Sequence, residues 1–385
     1  MSELIWRIEK RFEELFGTES VLIRSPGRIN IIGEHTDYND GFVMPAAVNK
    51  AIYFSITPNN TDLYRFHSFD YNENYETRVG EIGRCKTHWA NYLLGVIAQI
   101  VKDGKEIPGF DCVFGGDIPV GAGMSSSAAI ETGLAFALNT VFNIGYDRLS
   151  LVKFAQKAEH EYAGVQCGIM DQFAVTFGQD HQAIKLDCRS LDYEYAPLKS
   201  DDYLFVLVNT GVKHSLVSSE YNKRRQECQA GVELLQKYYP QVKALRDVNE
   251  EMLFEHKDEF TSVIYDRCLY VVQENMRVQL ASQAFENNDL YAVGDLMNYS
   301  HAGLRDQYEV SCDELDFLVY LADSIDGVLG ARMMGGGFGG CTINLLERDK
   351  LKIFKKNILN RYKTPEGKQP DIIEVEITEG TSLVR

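Results

Sequence analysis

No apolar run in the 385-residue chain approaches the roughly 20 residues that a bilayer-crossing helix needs, which excludes a transmembrane span. Neither end carries a lipidation signature. The eight cysteines, at 85, 112, 167, 188, 228, 268, 312 and 341, include no CxxC pair, and the opening MSELIWRIEKRFEELF lacks a signal-peptide pattern. Reduced thiols and a cytoplasmic location are therefore expected. Positive charge is scarce: 39 Lys and Arg face 56 Asp and Glu, a formal charge of -17. Long nucleic-acid tracts and anionic membranes demand clustered cations, so neither is an expected partner. An acidic chain that handles an acidic ligand must find positive potential locally, in backbone amides, a helix N-terminus or a divalent cation. Repeats and low-complexity tracts are also missing.

What is present is 45% hydrophobic residues in a chain long enough for two ordinary cores. Leu4, Ile5, Ile8, Phe12, Leu15 and Phe16 recur at helical spacing before Gly17, predicting an amphipathic first helix. VLIRS and RINIIGE read as short strands, Asp40-Gly41 as a turn, and AIYFSIT as a further strand. After a polar stretch over 59–86, ANYLLGVIAQIV reads as a helix and FDCVFGG as a buried strand. LVKFAQKAEHEYA is helical, CGIMDQFAV a short buried piece, and AIKLD and YLFVLVN strands. Residues 218–324 read mostly as helix, followed by a glycine cluster and a strand. The change of lobe is placed near residue 200, giving units 1–200 and 201–385.

Three segments carry candidate chemistry. Between Gly115 and Ala128 the chain runs from a strand through a glycine loop into an alanine-rich helix, setting Gly121, Gly123, Ser125, Ser126 and Ser127 at the helix start. Unpaired amides there attract anions, glycine admits a close phosphate, and serine hydroxyls can donate to phosphate or ligate Mg²⁺. An ordinary serine-capped helix is the bland alternative. Met124-Ser125 stands where a Walker A loop needs lysine, so this is a different phosphate loop. RSPGRINIIGEHTDYNDG, residues 24–41, packs Arg28, Glu34, His35, Asp37 and Asn39 among apolar residues. Directional groups of that kind suit a sugar's hydroxyls, against the alternative of a solvated turn with a salt bridge. Gly335, Gly337 and Gly340 fall at GxGxxG spacing, but a strand rather than a helix follows. That cluster is a close-packed turn beside the site or a purely structural hairpin.

Other patterns fail on a required residue. Asp70, Asn72, Asn74 and Glu81 match calcium-loop positions, yet Tyr75 replaces the glycine. His160-Glu161 opens like HExxH, but Gly164 replaces the second histidine. Lys223, Arg224 and Arg225 form a cluster too short for nucleic acid, which reads as decorating a solvated helix face or pairing with acidic neighbours.

Together the three segments resemble the signatures of the GHMP small-molecule kinases, and GRINIIGEHTDYN resembles the galactokinase branch in particular. HWANYLLGVI (88–97), AEHEYAGVQCGIMDQF (158–173) and VKHSLVSSEYNKRR (212–225) extend the likeness over nearly the whole chain. Met124 and Gly336 depart from the family's usual leucine and alanine. The resemblance implies an α+β, two-lobed α/β GHMP fold, with mixed sheets, helices in both lobes and the active site in the cleft between them. It implies transfer of the ATP γ-phosphate to the C1 hydroxyl of galactose, with Mg²⁺. Asp171 would sit beside that hydroxyl, with Arg28 touching both the carboxylate and the phosphoryl group. A neighbouring cation favours the ionised carboxylate, and arginine stabilises charge developing on phosphate. Glu34, His35, Asp37, Gly168 and Tyr221 would line the sugar pocket, while Ser127 and Glu159 hold Mg²⁺. Trp89 and Tyr92 would contact adenine or, alternatively, anchor their helix. A monomer is the expected state. A kinase for an N-acetylated galactose and a non-catalytic sugar sensor remain as rivals.

Overall fold

The computed structural model describes residues 3–119, 121–198, 201–212 and 217–385. The opening elements are helix α1 (Glu3–Phe16) and strands β1 (Val21–Asn30), β2 (Phe42–Val43), β3 (Pro45–Pro58), β4 (Leu63–Ser68) and β5 (Glu73–Arg78). Next come α2 (His88–Lys102), β6 (Phe110–Gly116), α3 (Ser126–Val141), α4 (Arg148–Ala158) and α5 (Met170–Phe177). Strands β7 (Gln182–Asp187), β8 (Tyr193–Pro197) and β9 (Tyr203–Asn209) lead to α6 (Val217–Leu235) and α7 (Glu250–Glu255). Then follow α8 (Ser262–Glu286), α9 (Leu290–Asp306), α10 (Asp313–Asp323), β10 (Val328–Met333), β11 (Cys341–Glu347), α11 (Leu351–Arg361), β12 (Ile372–Val375) and β13 (Ser382–Leu383).

The main sheet has the order β13-β1-β3-β6-β4-β5, antiparallel except where β4 runs parallel to β6. Strand alternation sorts its side chains. Phe110, Cys112 and Phe114 of β6 enter the principal core with Leu93 and Leu94 of α2 and Leu134 of α3. Val113, on the opposite face, packs with Ile8 and Phe12 of α1, the apolar stripe read from the first sixteen residues. The second sheet, β10-β11-β9-β12, is antiparallel and covered on both faces. Leu204, Val206 and Val208 of β9 meet α10 and α11, while Phe205 and Leu207 join the principal core. A third, small sheet pairs β2-β7-β8.

Residues before and after 200 share that principal core, and β13 returns to pair Leu383 with Ile23 and Ser382 with Arg24. The architecture is the mixed α+β arrangement expected. Three local readings are corrected. The polar stretch 59–86 contains the β4–β5 hairpin; β5 is polar because its outer edge faces solvent, while Tyr64 and Phe66 of β4 point into the core. VLIRS and the start of RINIIGE form one strand, with a register shift between Pro26 and Arg28 that accommodates proline inside a sheet. CGIMDQFAV contains helix α5. Of the segment 212–225, residues 213–216 lie outside the described residues.

Candidate functional site

A cavity of about 410 Å³ opens where the end of β1, the start of α5 and the β10–β11 turn converge. Arg28, Glu34, His35, Asp37, Glu159, Asp171 and Tyr221 line it, with Gly335 and Gly336. Residues from both sides of position 200 therefore build one hollow. At its floor Arg28 donates from Nε to Asp171 Oδ1 at 2.6 Å, and from Nη1 to the carbonyl of Gly123. Burial opposes charge on Arg28, but Asp171, Glu34 and Asp37 outweigh it and hold its pKa above the ordinary value. Asp171 comes from the first turn of α5 and keeps a side-chain exposure of 25%, enough for a ligand to reach it.

The serine loop lies beside this pair. Gly121 and Gly123 have positive φ, and Ser125 is left-handed at φ 56°. Ser125 is the N-cap of α3 but makes no capping bond; its hydroxyl donates to Asp171 Oδ2 at 2.5 Å instead. The ordinary capped-helix alternative is thus replaced: the hydroxyl is spent on Asp171, and the first amides of α3 keep no side-chain cap. A non-glycine residue held left-handed costs about 1–3 kcal/mol and marks a place where side-chain aim matters more than backbone ease. His35 is left-handed too, at φ 64°.

Toward the sugar-type residues, Glu34 Oε1 accepts from the Gly335 amide at 2.7 Å and from Arg332 Nη2 at 3.2 Å. Arg332 is fully buried and also donates to the carbonyls of Ile31, Asn30 and Met333. The glycine turn is therefore tied to the acidic loop, and it leads from β10 into β11 with no helix. Its place beside the site is established, and a dinucleotide fingerprint is not formed. His35 shares its Nδ1 with the Tyr38 hydroxyl at 2.8 Å; burial, helped by Arg224, lowers its pKa to about 3, so it works as a neutral ring. Tyr221 sets its ring, tilted, 5.3 Å from that of His35. Asp37 is pushed up to about 7 by burial and by Asp171. Gly168 lies against it: a Cβ built at 168 would overlap the Asp37 carboxylate. Gly168→Ala is expected to raise the sugar KM by about tenfold or more while kcat moves less, the pattern that the expectation of Asp37 as a ground-state sugar contact requires. Steady-state kinetics check this, and an unchanged KM would count against Asp37 as a sugar contact.

Glu159 occupies the start of a π-turn, 159–163, that continues α4. Burial, reinforced by Asp171, raises its pKa to about 7 against hydrogen bonds from Ser127, Cys167 and Gln172. Ser126 and Ser127 open α3 beside it. Among the described residues no cluster of three or more His, Cys, Asp or Glu could hold a metal ion by itself.

Not every expected residue arrives. Trp89 is 7% exposed, buried in the principal core, and donates from its indole to Glu73 at 2.9 Å. His88 and Tyr92, four residues apart on one face of α2, line the cavity instead. Arg224 pairs with Glu220 at 3.6 Å and Glu227 at 3.3 Å, the acidic neighbours expected, but it is buried, not solvated, and also donates to the carbonyls of Tyr308 and Glu309. Those carbonyls belong to the turn after α9 and require a donor, and arginine supplies several. Residues missed from the sequence are Arg332, Tyr38, Gln172 and Glu131. A lone arginine inside the apolar strand GARMM was the signal for the first.

Comparison with known proteins adds three family-model matches: the galactokinase galactose-binding signature over residues 10–58, the GHMP kinase N-terminal domain over 91–179, and the GHMP kinase C-terminal domain over 281–363. A galactokinase of Roseiflexus sp. is 38% identical over 378 residues, covering 98% of this chain and 96% of its own. A galactokinase of Thermotoga maritima is 41% identical over 363 residues, covering 94% and 99%. The crystal structure of Lactococcus lactis galactokinase complexed with galactose superposes with a TM-score of 0.94 at 35% identity, covering 98% of this chain and 99% of that one. Mevalonate kinase of Methanococcus jannaschii, at 19% identity and a TM-score of 0.66, shares the fold, covering 94% and 99%.

Proposed function

The chain belongs to the galactokinase family of the GHMP kinases, and from that premise we propose how its residues move the γ-phosphate of ATP to the C1 hydroxyl of galactose. It is an ATP-dependent sugar kinase. The observation that carries the residue assignment is the convergence of Arg28, Asp171 and Ser125 at the start of α3, inside a cavity lined by Glu34, His35, Asp37 and Tyr221. Asp171, fixed by two donors, orients the C1 hydroxyl and accepts its proton as the oxygen–phosphorus bond forms and the bond from the γ-phosphorus to the β,γ-bridging oxygen breaks, releasing ADP. Arg28 stabilises the negative charge spread over the transferring phosphoryl oxygens. Gly121, Gly123, Ser125, Ser126 and Ser127 hold the nucleotide phosphates at the amides of α3. Glu34, His35, Asp37, Gly168 and Tyr221 hold the sugar. The dual occupation of Glu34 Oε1 favours its other oxygen as the acceptor for a hydroxyl.

Ser127 and Glu159 are proposed for Mg²⁺. An all-oxygen set of one buried carboxylate and one hydroxyl fits that ion, which takes the rest of its shell from phosphates and water. When bound it supplies charge neutralisation at the phosphates. A monomeric, cytoplasmic enzyme is proposed alongside, the location supported by eight free cysteines. Residues 1–200 would then contribute the nucleotide loop and most sugar contacts, and 201–385 the glycine turn and Tyr221.

ADP release with ATP, Mg²⁺ and a panel of sugars tests the substrate: galactose is turned over, and preference for an N-acetylated analogue would displace this reading. Tight binding of both ligands without product would favour the sensor. Asp37 gives a pH prediction. Raised to about 7, its carboxyl gains a proton as pH falls, loses its charge and turns one oxygen from acceptor into donor, which weakens its hold on sugar hydroxyls. With MgATP saturating, kcat/KM for galactose should drop as pH is lowered through about 7, approaching about tenfold per unit, and Asp37→Asn should lose that inflection. An Asp37→Asn variant whose kcat/KM and pH profile match the wild type would remove Asp37 from the sugar site.

A further inference from the structure

Gln172 follows Asp171 on the first turn of α5, and adjacent helical residues project about 100° apart. Asp171 thereby meets Arg28 and Ser125, while Gln172 enters a buried pocket between α3 and the π-turn. Its side chain has no solvent exposure. The amide Nε2 donates to Glu159 Oε2 at 2.7 Å and reaches Glu131 Oε2 at 3.4 Å. Cys167 Sγ lies 3.5 Å from the same Glu159 oxygen. Both of these bonds to Glu159 fall on Oε2, and Ser127, the other residue proposed for the cation, also bonds the carboxylate. Glu131 is fully buried on α3, and its Oε1 and Gln172 Oε1 have no hydrogen-bond partner.

We propose that Gln172 is a positioning residue for the divalent cation: its amide fixes the Glu159 carboxylate and bridges it to Glu131. The inference rests on the assignment of Glu159 to Mg²⁺ made above. A neutral amide suits the task, because it donates to the anion without adding a cation that would compete with the metal. Without that donor, Glu159 Oε2 would keep only the weak Cys167 contact beside a second buried acid. One turn of α5 then sets both the group that handles the sugar hydroxyl and the group that handles the metal.

The test measures Mn²⁺ binding to the full-length enzyme with ADP, by electron paramagnetic resonance of the free ion, and galactose binding by calorimetry without metal. Gln172→Met keeps the side chain's length and removes its polarity. It is expected to weaken Mn²⁺ binding by about 10–100-fold, the usual effect of losing a hydrogen-bond partner to a metal ligand, and to leave galactose affinity unchanged. Gln172→Asn, one methylene shorter, carries the same expectation and serves if the Met variant does not fold. Unchanged Mn²⁺ affinity overturns the proposal, and so does an equal loss of galactose affinity, which would indicate general loosening of α5. Glu159→Gln separates the two levels. If it binds Mn²⁺ as the parent does, the metal assignment fails; if it weakens binding while the Gln172 variants do not, only the role of Gln172 fails.

Discussion

Replacing Asp171 with asparagine is expected to slow galactose phosphorylation by about 10²–10⁴-fold, the range a positioned proton acceptor contributes. Asparagine preserves the volume, and its carbonyl can still accept from Arg28 or Ser125, the two donors that fix the native carboxylate at 2.6 and 2.5 Å. Galactose should therefore still bind, and the helix start should keep its shape. What disappears is the charge that orients the hydroxyl and takes its proton. Steady-state kcat together with calorimetric galactose binding checks this. Native turnover in the Asp171→Asn variant would remove Asp171 from the chemistry; loss of binding in step with rate would make it a binding residue only.

Arg28→Met should be comparably severe and act in two ways. The rate is expected to fall by about 10²–10³-fold, as when one preorganised donor to a developing anion is removed. Stability should also fall, because Asp171 loses its ion pair and the Gly123 carbonyl its donor. That loss is set at about 1–3 kcal/mol, below the range for a fully enclosed pair, because Asp171 keeps 25% side-chain exposure and water can replace part of the interaction. Urea denaturation measures the second effect separately from the first. Arg28→Lys provides the contrast: it returns a positive charge but not the planar fork that reaches Asp171 and Gly123 together. It should recover much of the stability and little of the rate. Full recovery of rate by lysine would show that charge alone, without the two-way geometry, suffices.

Two kinds of residue behaved differently between sequence and structure. Groups carried on short contiguous runs were legible. Arg28, Glu34, His35 and Asp37 lie within ten residues, and the serine loop announces itself by glycine, serine and a following alanine-rich helix. Local chemistry explains why: a positive-φ turn and a helix start are properties of a few neighbours. Groups defined by what packs against them were not legible. Arg224 reads as part of a basic surface cluster until α9 is seen to end beside it, with carbonyls that need donors. Trp89 reads as an adenine contact or a helix anchor until its burial and the bond to Glu73 of β5 decide for the anchor, and β5 itself was hidden in a polar stretch because most side chains of this edge strand are exposed.

The sequence by itself determined the chain's class, its helices of strong period, the glycine and serine turn that opens α3 and a family resemblance spanning nearly its full length. Tertiary structure decided which oxygens and nitrogens meet: that Ser125 serves Asp171 instead of capping α3, that Arg332 ties the glycine turn to Glu34, and that Gln172 stands between two buried acids. The physical reason is range. Turn, cap and periodicity preferences are fixed within a few residues, whereas each of these contacts joins side chains 13 to 298 positions apart and exists only once the sheets have brought them together.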